Sequence, residues 1–291
     1  MNMKSPVNAV TISEEETQFF ADHGFIKIKN LLTLDAVDEL RNLTRNSNQM
    51  TIPPDVYSGE LSKIGYDIDG SIVQNIYSSK IFKDILNKLT SQELTFMQGI
   101  GFEVEVAQSG FPWHHDIYSF CYTRPDDFGY TLWIPLIPID TQKQHGGLAY
   151  VSRQVHSARY YFNLAYRLAT SKNFPDSYQA DSLQDVNFQY ASKFENLVLE
   201  ENKIEDDFAL GDVLLLDKTI WHRSCPLNKG LFPSRMAYVI RFIGSNSRYS
   251  QKSVEGTYFL LNSTGNDVQS DLGGRLLKTL KDGEVIAHSL N

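Results

Sequence analysis

From Thr95 onward the chain is written in short apolar runs, FMQGIGFEVEVAQ, TLWIPLIPI, GLAYVS, DVLLLDKTIWH and RMAYVIRFIG, separated by Gly, Pro and Asp. Short apolar runs of this kind, broken by turn residues, predict an antiparallel sandwich or barrel. With 42% hydrophobic residues in 291, the chain can bury a full core, and one catalytic domain spanning 1–291 is the expectation. Its parts are a helical N-terminal portion (1–94), the strand-rich core (95–245) and a C-terminal extension (246–291).

The N-terminal portion reads as helices around one strand. Ser13 and Glu16 form a capping-box pattern ahead of Phe19 and Phe20, which predicts a helix ended by Gly24. FIKI then alternates as a half-buried strand, and LDAVDELRNLT returns to helical spacing. The stretch from Met50 to Gly70 carries Pro53, Pro54, Gly59, Gly65 and Gly70 and is expected to be a loop. A further helix is expected over Ser79 to Leu89. Residues 157–202 interrupt the strands with a Tyr-, Asn- and Ser-rich insertion, expected to be partly helical and suited to a lid. The tail after Gly244 is polar, with a helix expected over 274–281.

Charge and cysteine content narrow the partners. A formal net charge of -8 with no Lys/Arg-rich block removes the long-range attraction that nucleic acid or an anionic membrane would need. No run approaches the roughly 20 apolar residues of a spanning helix. Cys121 and Cys225 are the only cysteines, too few for a disulfide framework and suited to a reducing, cytoplasmic compartment. The final Ser289-Leu290-Asn291 differs from the peroxisomal Ser-Lys-Leu address.

The chemistry concentrates in WHHDIYSF and GDVLLLDKTIWHRSCP. Two residues apart on a strand, His114 and Asp116 leave the same face while His115 points to the other. One imidazole and one carboxylate suit a borderline cation, and a second imidazole completes a two-His, one-carboxylate site that keeps positions open. His222 follows an apolar strand and supplies that third group. His-x-Asp alone arises readily by chance, so the weight rests on the second block.

Taken together, these motifs resemble the phytanoyl-CoA dioxygenase-like family of iron(II)/2-oxoglutarate oxygenases over roughly residues 11 to 245. Trp113-His114-His115-Asp116 is similar to that family's W-H-x-D motif; Gly146-Gly147-Leu148, followed by Ser152 to His156, is similar to its N-G-x-L and P-G-S-H block. Gly211-Asp212, His222-Arg223-Ser224 and Arg235 are similar to its G-D, H-x-S and downstream arginine. The resemblance implies a mainly β fold with flanking helices, a double-stranded β-helix (jelly roll) core. It also implies iron(II) held by His114, Asp116 and His222, with 2-oxoglutarate and dioxygen as co-substrates and ascorbate as a stimulant. Arg235 would pair with the distal carboxylate of the keto acid, for which a guanidinium fork is suited, with Ser224 supporting it and Trp133 lining the pocket. Three departures blur that pocket: His145 replaces the family's Asn, Ser152-Arg153-Gln154-Val155 replaces P-G-S, and Arg235 lies two residues further from His222 than usual. His145 and His156 are expected at turns, outside the metal site.

The implied reaction couples decarboxylation of the keto acid to oxidation of an unactivated C–H bond. Because related halogenases carry a small residue in place of the carboxylate, Asp116 implies hydroxylation, desaturation or ring formation. An acidic chain favours a small metabolite of natural-product biosynthesis over an acyl-CoA, with Tyr118, Tyr122, Tyr160, Tyr161, Phe111 and Phe120 as an aromatic wall for it. An acyl-CoA 2-hydroxylase, a metal hydrolase on the same ligands and a non-catalytic jelly-roll module remain as alternatives. Oligomeric state is not legible.

Overall fold

The computed structural model describes residues 5–52, 61–171, 190–262, 276 and 278–289. The Ser13 capping box forms as read: Glu16 N–H donates to Ser13 Oγ at 3.0 Å and Ser13 N–H to Glu16 Oε2 at 2.8 Å. These bonds satisfy donors left free at the first turn of α1 (Glu14–His23), as capping requires. Gly24 ends the helix at φ 79°, and the chain turns directly into β1 (Phe25–Ile28).

Helices α2 (Leu34–Asn46), α3 (Ser71–Ser78) and α4 (Lys80–Thr90) follow, with β2 (Lys63–Tyr66) between the first two. Strand β2 corrects the loop expected over Met50 to Gly70. It pairs antiparallel with β3 (Leu94–Glu105) at the sheet edge, where the partner strand supplies what local propensity lacks. Residues 53–60 of that stretch lie outside the described residues.

The larger sheet has six strands in the order β1-β7-β4-β9-β3-β2, where β4 is Gly129–Pro135, β7 Val213–Asp217 and β9 Ser234–Gly244. A smaller sheet, ordered β6-β5-β8, is built from β5 (Leu148–Tyr150), β6 (Ile204–Glu205) and β8 (His222–Ser224). The two sheets form the double-stranded β-helix core, and the mainly antiparallel fold with flanking helices agrees with the reading of the sequence.

Strand alternation divides the larger sheet into two working faces. Leu132, Ile134, Leu215, Tyr238, Ile240 and Phe242 point outward and bury against α1, α2 and α4. Phe25, Trp133, Leu214, Leu216, Ala237 and Val239 point inward, against Leu148, Tyr150 and Phe208. Leu132 is fully buried on the helical face. Leu132→Ala is therefore expected to lower unfolding free energy by about 2–5 kcal/mol. In denaturant melts that loss should appear while divalent-metal affinity stays unchanged, since its neighbour Thr131 faces the other way.

The insertion contributes α6 (Arg159–Thr170) and α7 (Lys193–Glu201); residues 172–189 between them lie outside the described residues. Neither helix hangs free. Helix α6 packs on α8 (Gln251–Asn262) so closely that a Cβ on Gly256 would sit 1.9 Å from the Ala165 carbonyl oxygen. The tail after Gly244 thus carries a helix that the sequence reading did not place; of the helix expected over 274–281, residues 274, 275 and 277 lie outside the described residues, Leu276 is helical, and 278–281 are turn or irregular instead. Among the described residues no helix is long and apolar enough to cross a membrane, and both cysteines are buried free thiols.

Candidate metal centre

The backbone brings His114 and His222 together. Each donates its N–H to the other's carbonyl, at 2.9 and 3.0 Å, so the 111–114 segment runs beside β8 as an extra rung of the smaller sheet. Two residues further on, the chain leaves that rung. Asp116 is the N-cap of the short helix α5 (Ile117–Phe120), at φ -81° and ψ 29°. The strand geometry expected for His-x-Asp is therefore replaced by a bend, which carries the carboxylate toward the larger sheet. Donor atoms of His114, Asp116 and His222 nevertheless lie within 4.8 Å of one another.

These donors suit a divalent cation. Nδ1 of His114 lies 2.7 Å from the Pro112 carbonyl, and Nδ1 of His222 lies 3.0 Å from the Ile220 carbonyl. A carbonyl accepts only from a protonated nitrogen, so each ring keeps the Nε2 lone pair for a cation, the usual outer support of a metal-binding imidazole. Burial, helped by the neighbouring His222, pushes the His114 pKa down to about 3, which holds it neutral. Burial works to raise the pKa of Asp116, but Arg241 foremost, then His222 and the Thr131 hydroxyl, hold it down to about 2. Two imidazoles and one carboxylate form the donor set of a non-haem iron site.

Around the carboxylate stand residues that the sequence reading missed. Thr131 Oγ1 donates to Asp116 Oδ2 at 2.6 Å, and Arg241 Nη2 donates to Oδ1 at 3.3 Å. The spacing of RMAYVIRF offered the signal, because Arg235, Ala237, Val239 and Arg241 alternate onto one strand face. An isolated arginine late in a strand reads as a surface residue unless that alternation is followed through.

Arg235 lies six residues before Arg241 on the same inward face of β9, opposite Val104. It is 2% exposed, and its Nε and Nη2 have no hydrogen-bond partner among the described residues. Burial pulls its pKa down to about 10, so the guanidinium remains charged at neutral pH. Gly146, at φ 86°, passes directly over it, a Cβ there falling 3.7 Å from Arg235 Cβ and Cγ. His145, at φ 58°, begins this turn with its Nδ1 3.7 Å from Glu205.

Other expected site residues divide. Ser224 shares a strand with His222, and its hydroxyl accepts the Phe111 N–H at 3.2 Å, tying the ligand-bearing segment to β8. Trp133 sits on the inward face between Val239 and Leu214, edge-on to Phe208 at 5.2 Å. His156 pairs with Glu195 at 3.0 Å and stacks on Trp221, away from the triad. His115 turns away and stacks on Tyr161 at 5.0 Å. The expected aromatic wall breaks up: Phe120 and Tyr122 are fully buried beside α8, and Tyr160 is 65% exposed. Phe111 lies against a candidate ligand, with ring centroids 5.2 Å from His114.

No family model matches the chain, and no curated protein matches it in sequence. Solved structures match its fold along most of its length. The non-haem alpha-ketoglutarate-dependent epimerase SnoN from nogalamycin biosynthesis aligns with a TM-score of 0.60 at 12% identity, covering 94% of each chain. The carbocyclase SnoK from the same biosynthesis gives 0.60 at 13% identity, covering 97% of this chain and 96% of its own. EctD from S. alaskensis gives 0.56 at 15% identity, covering 86% and 85%. These likenesses establish that the chain has the fold of the non-haem alpha-ketoglutarate-dependent enzymes SnoN and SnoK.

Proposed function

We propose that this chain is an iron(II)- and 2-oxoglutarate-dependent oxygenase that modifies a small molecule in natural-product biosynthesis, by hydroxylating an unactivated C–H bond. The observation that carries the reading is Arg235: a buried, charged guanidinium with two unpartnered nitrogens on the inward face that also holds the Asp116 carboxylate. Such a charge is costly to bury without an anion, and the distal carboxylate of a keto acid supplies one. SnoN, whose fold this chain shares, has been solved with Fe3+, alpha ketoglutarate and nogalamycin RO at a TM-score of 0.62, which supports a small-molecule substrate. The whole chain is read as one catalytic unit.

His114, Asp116 and His222 would hold the iron, and Arg235 the co-substrate. When bound, the iron and keto acid supply activation of dioxygen coupled to oxidative decarboxylation to succinate. The chain's own share is placement and exclusion of water. The Pro112 and Ile220 carbonyls orient the imidazoles; Thr131 and Arg241 orient the carboxylate. Trp133, Val239 and Leu214 form a dry floor between Asp116 and Arg235, and Phe111 closes one flank beside His114. Ser224 holds the Phe111 backbone that sets that flank.

Anaerobic addition of iron(II) and 2-oxoglutarate to the purified protein is expected to give a weak visible charge-transfer band. Candidate substrates should then raise succinate release, and products should gain one oxygen by mass. A folded protein that gives no band would sink the reading in favour of a non-catalytic module. SnoN and SnoK are an epimerase and a carbocyclase, so an isobaric product, or one lighter by two hydrogens, would keep the oxygenase reading and replace hydroxylation.

A further inference from the structure

Asp116 is not held by its own loop. Three neighbouring strands of the larger sheet present one row of polar side chains toward it: Thr131 on β4 pairs with Arg241 on β9, which pairs with Gln98 on β3. The register of β3 slips between Phe96 and Gln98, leaving Met97 as an extra residue. Without this bulge the parity of β3 would put Gln98 on the opposite face. Arg241 Nη1 donates to Gln98 Oε1 at 3.3 Å, and Gln98 Nε2 donates to Asp67 Oδ1 at 2.9 Å. The guanidinium is thus braced from behind while Nη2 faces the carboxylate, and its side chain is only 12% exposed.

Arg235 and Arg241 divide the inward face of β9 between them. Among the described residues Arg235 has no anion paired with it; Arg241 has one, and on the proposed reading that anion is a metal ligand. A buried carboxylate needs a cation, and among the described residues Arg241 is the one Lys or Arg side chain paired with Asp116. A divalent ion at the triad would draw on the same carboxylate, with like charge toward the guanidinium.

We propose that Arg241 is a positioning residue, the built-in counter-cation that keeps Asp116 in the triad while no metal is bound, and that Arg241 and the metal therefore oppose each other thermodynamically. The inference rests on the metal-site reading. It implies a trade: the site stands preassembled before the ion arrives, at the cost of weaker affinity once it does. Neutralising Arg241 leaves the carboxylate uncompensated in the metal-free protein, a loss that the metal then relieves.

The test uses the full-length chain, Mn(II) alone as probe, and R241M, R241Q and R241K beside the wild type. Metal-free R241M and R241Q should melt several degrees below wild type, and saturating Mn(II) should restore most of the difference. Their Mn(II) dissociation constants should be about tenfold lower or more, a change worth about 1.4 kcal/mol; R241K should stay near wild type. A melting loss that Mn(II) leaves untouched, with affinity unchanged or weaker, would show Arg241 to be a packing residue and overturn the proposal. R241Q retains hydrogen-bonding capacity and guards against misfolding of R241M. If the wild type binds no Mn(II), or binds it equally after His222→Ala, the metal reading fails and the proposal with it. If wild-type binding depends on His222 while R241M and R241Q bind no more tightly, the proposal alone fails.

Discussion

Asp116→Gly is expected to abolish substrate oxidation and to lower substrate-dependent succinate release by on the order of a thousand-fold. Loss of a residue that merely supports a metal ligand typically costs ten- to a hundred-fold in affinity or activity, and here the ligand itself is removed. The electrostatics add to that loss. Arg241, paired with Asp116 at 3.3 Å, would be left as an unbalanced buried cation facing the metal, and an ion pair broken on one side destabilises by about 3–5 kcal/mol. Asp116→Asn separates these effects, since it keeps the volume and an acceptor for Arg241 while surrendering the charge. Both variants should lose Mn(II) binding in titrations, with Asn melting closer to wild type than Gly. On the proposed reading Asp116 occupies a metal position and leaves none there for chloride, so the wild type should oxidise substrate in chloride buffer without chlorinated product by mass analysis. Full activity in Asp116→Gly would remove Asp116 from the metal site.

The candidate ligands, whose donor atoms lie within 4.8 Å of one another, were legible in the sequence because each sits in a motif with its own local logic, while their support was not. His114 and Asp116 stand two apart, and His222 follows an apolar strand; both facts are local. The reason their donor atoms meet is non-local, since His114 pairs with His222 across the smaller sheet and Asp116 bends away to the larger one. Arg241 and Gln98 become partners only through the register of three strands and a bulge at Met97. Short-range spacing cannot give such a register. The same limit explains two of the elements that were missed. Strand β2 is an edge strand with Gly65 opposite Gly101, and its pairing exists only because β3 is there. Helix α8 contains Gly256, which weakens a helix by about 1 kcal/mol relative to alanine, yet that glycine is what lets α6 approach. By contrast, the Ser13 capping box needs no distant partner and formed as read; FIKI did form a strand, but paired with β7 and with Phe25, Ile26 and Ile28 all buried it is covered on both faces, not half-buried. The aromatic wall failed because Tyr122 and Phe120 are as well suited to a core as to a pocket, and the contacts of α8 decided for the core.

Arg235→Met is expected to raise the 2-oxoglutarate requirement by about 30-fold to several thousand-fold, since truncating one side of a buried charge pair costs about 2–5 kcal/mol or more. Its effect on folding should run the other way. The guanidinium is 2% exposed, and two of its nitrogens have no partner among the described residues, so methionine should remove a desolvation cost that wild type bears when 2-oxoglutarate is withheld. The variant should therefore melt at or above the wild-type temperature without 2-oxoglutarate, and should lose the stabilisation that 2-oxoglutarate gives wild type. Mn(II) affinity should hold within about twofold, because among the described residues it is Arg241, and not Arg235, that pairs with the Asp116 carboxylate. A keto acid with an apolar tail in place of the distal carboxylate provides the decisive comparison. Wild type should reject it strongly, whereas Arg235→Met should accept it and 2-oxoglutarate about equally, as measured by decarboxylation rates. Ser224→Ala, whose hydroxyl holds the Phe111 N–H, should keep that discrimination while losing only the anchoring of the His114 segment. A variant that keeps the wild-type preference for the distal carboxylate would dissociate Arg235 from the co-substrate and leave its buried charge without a role in binding.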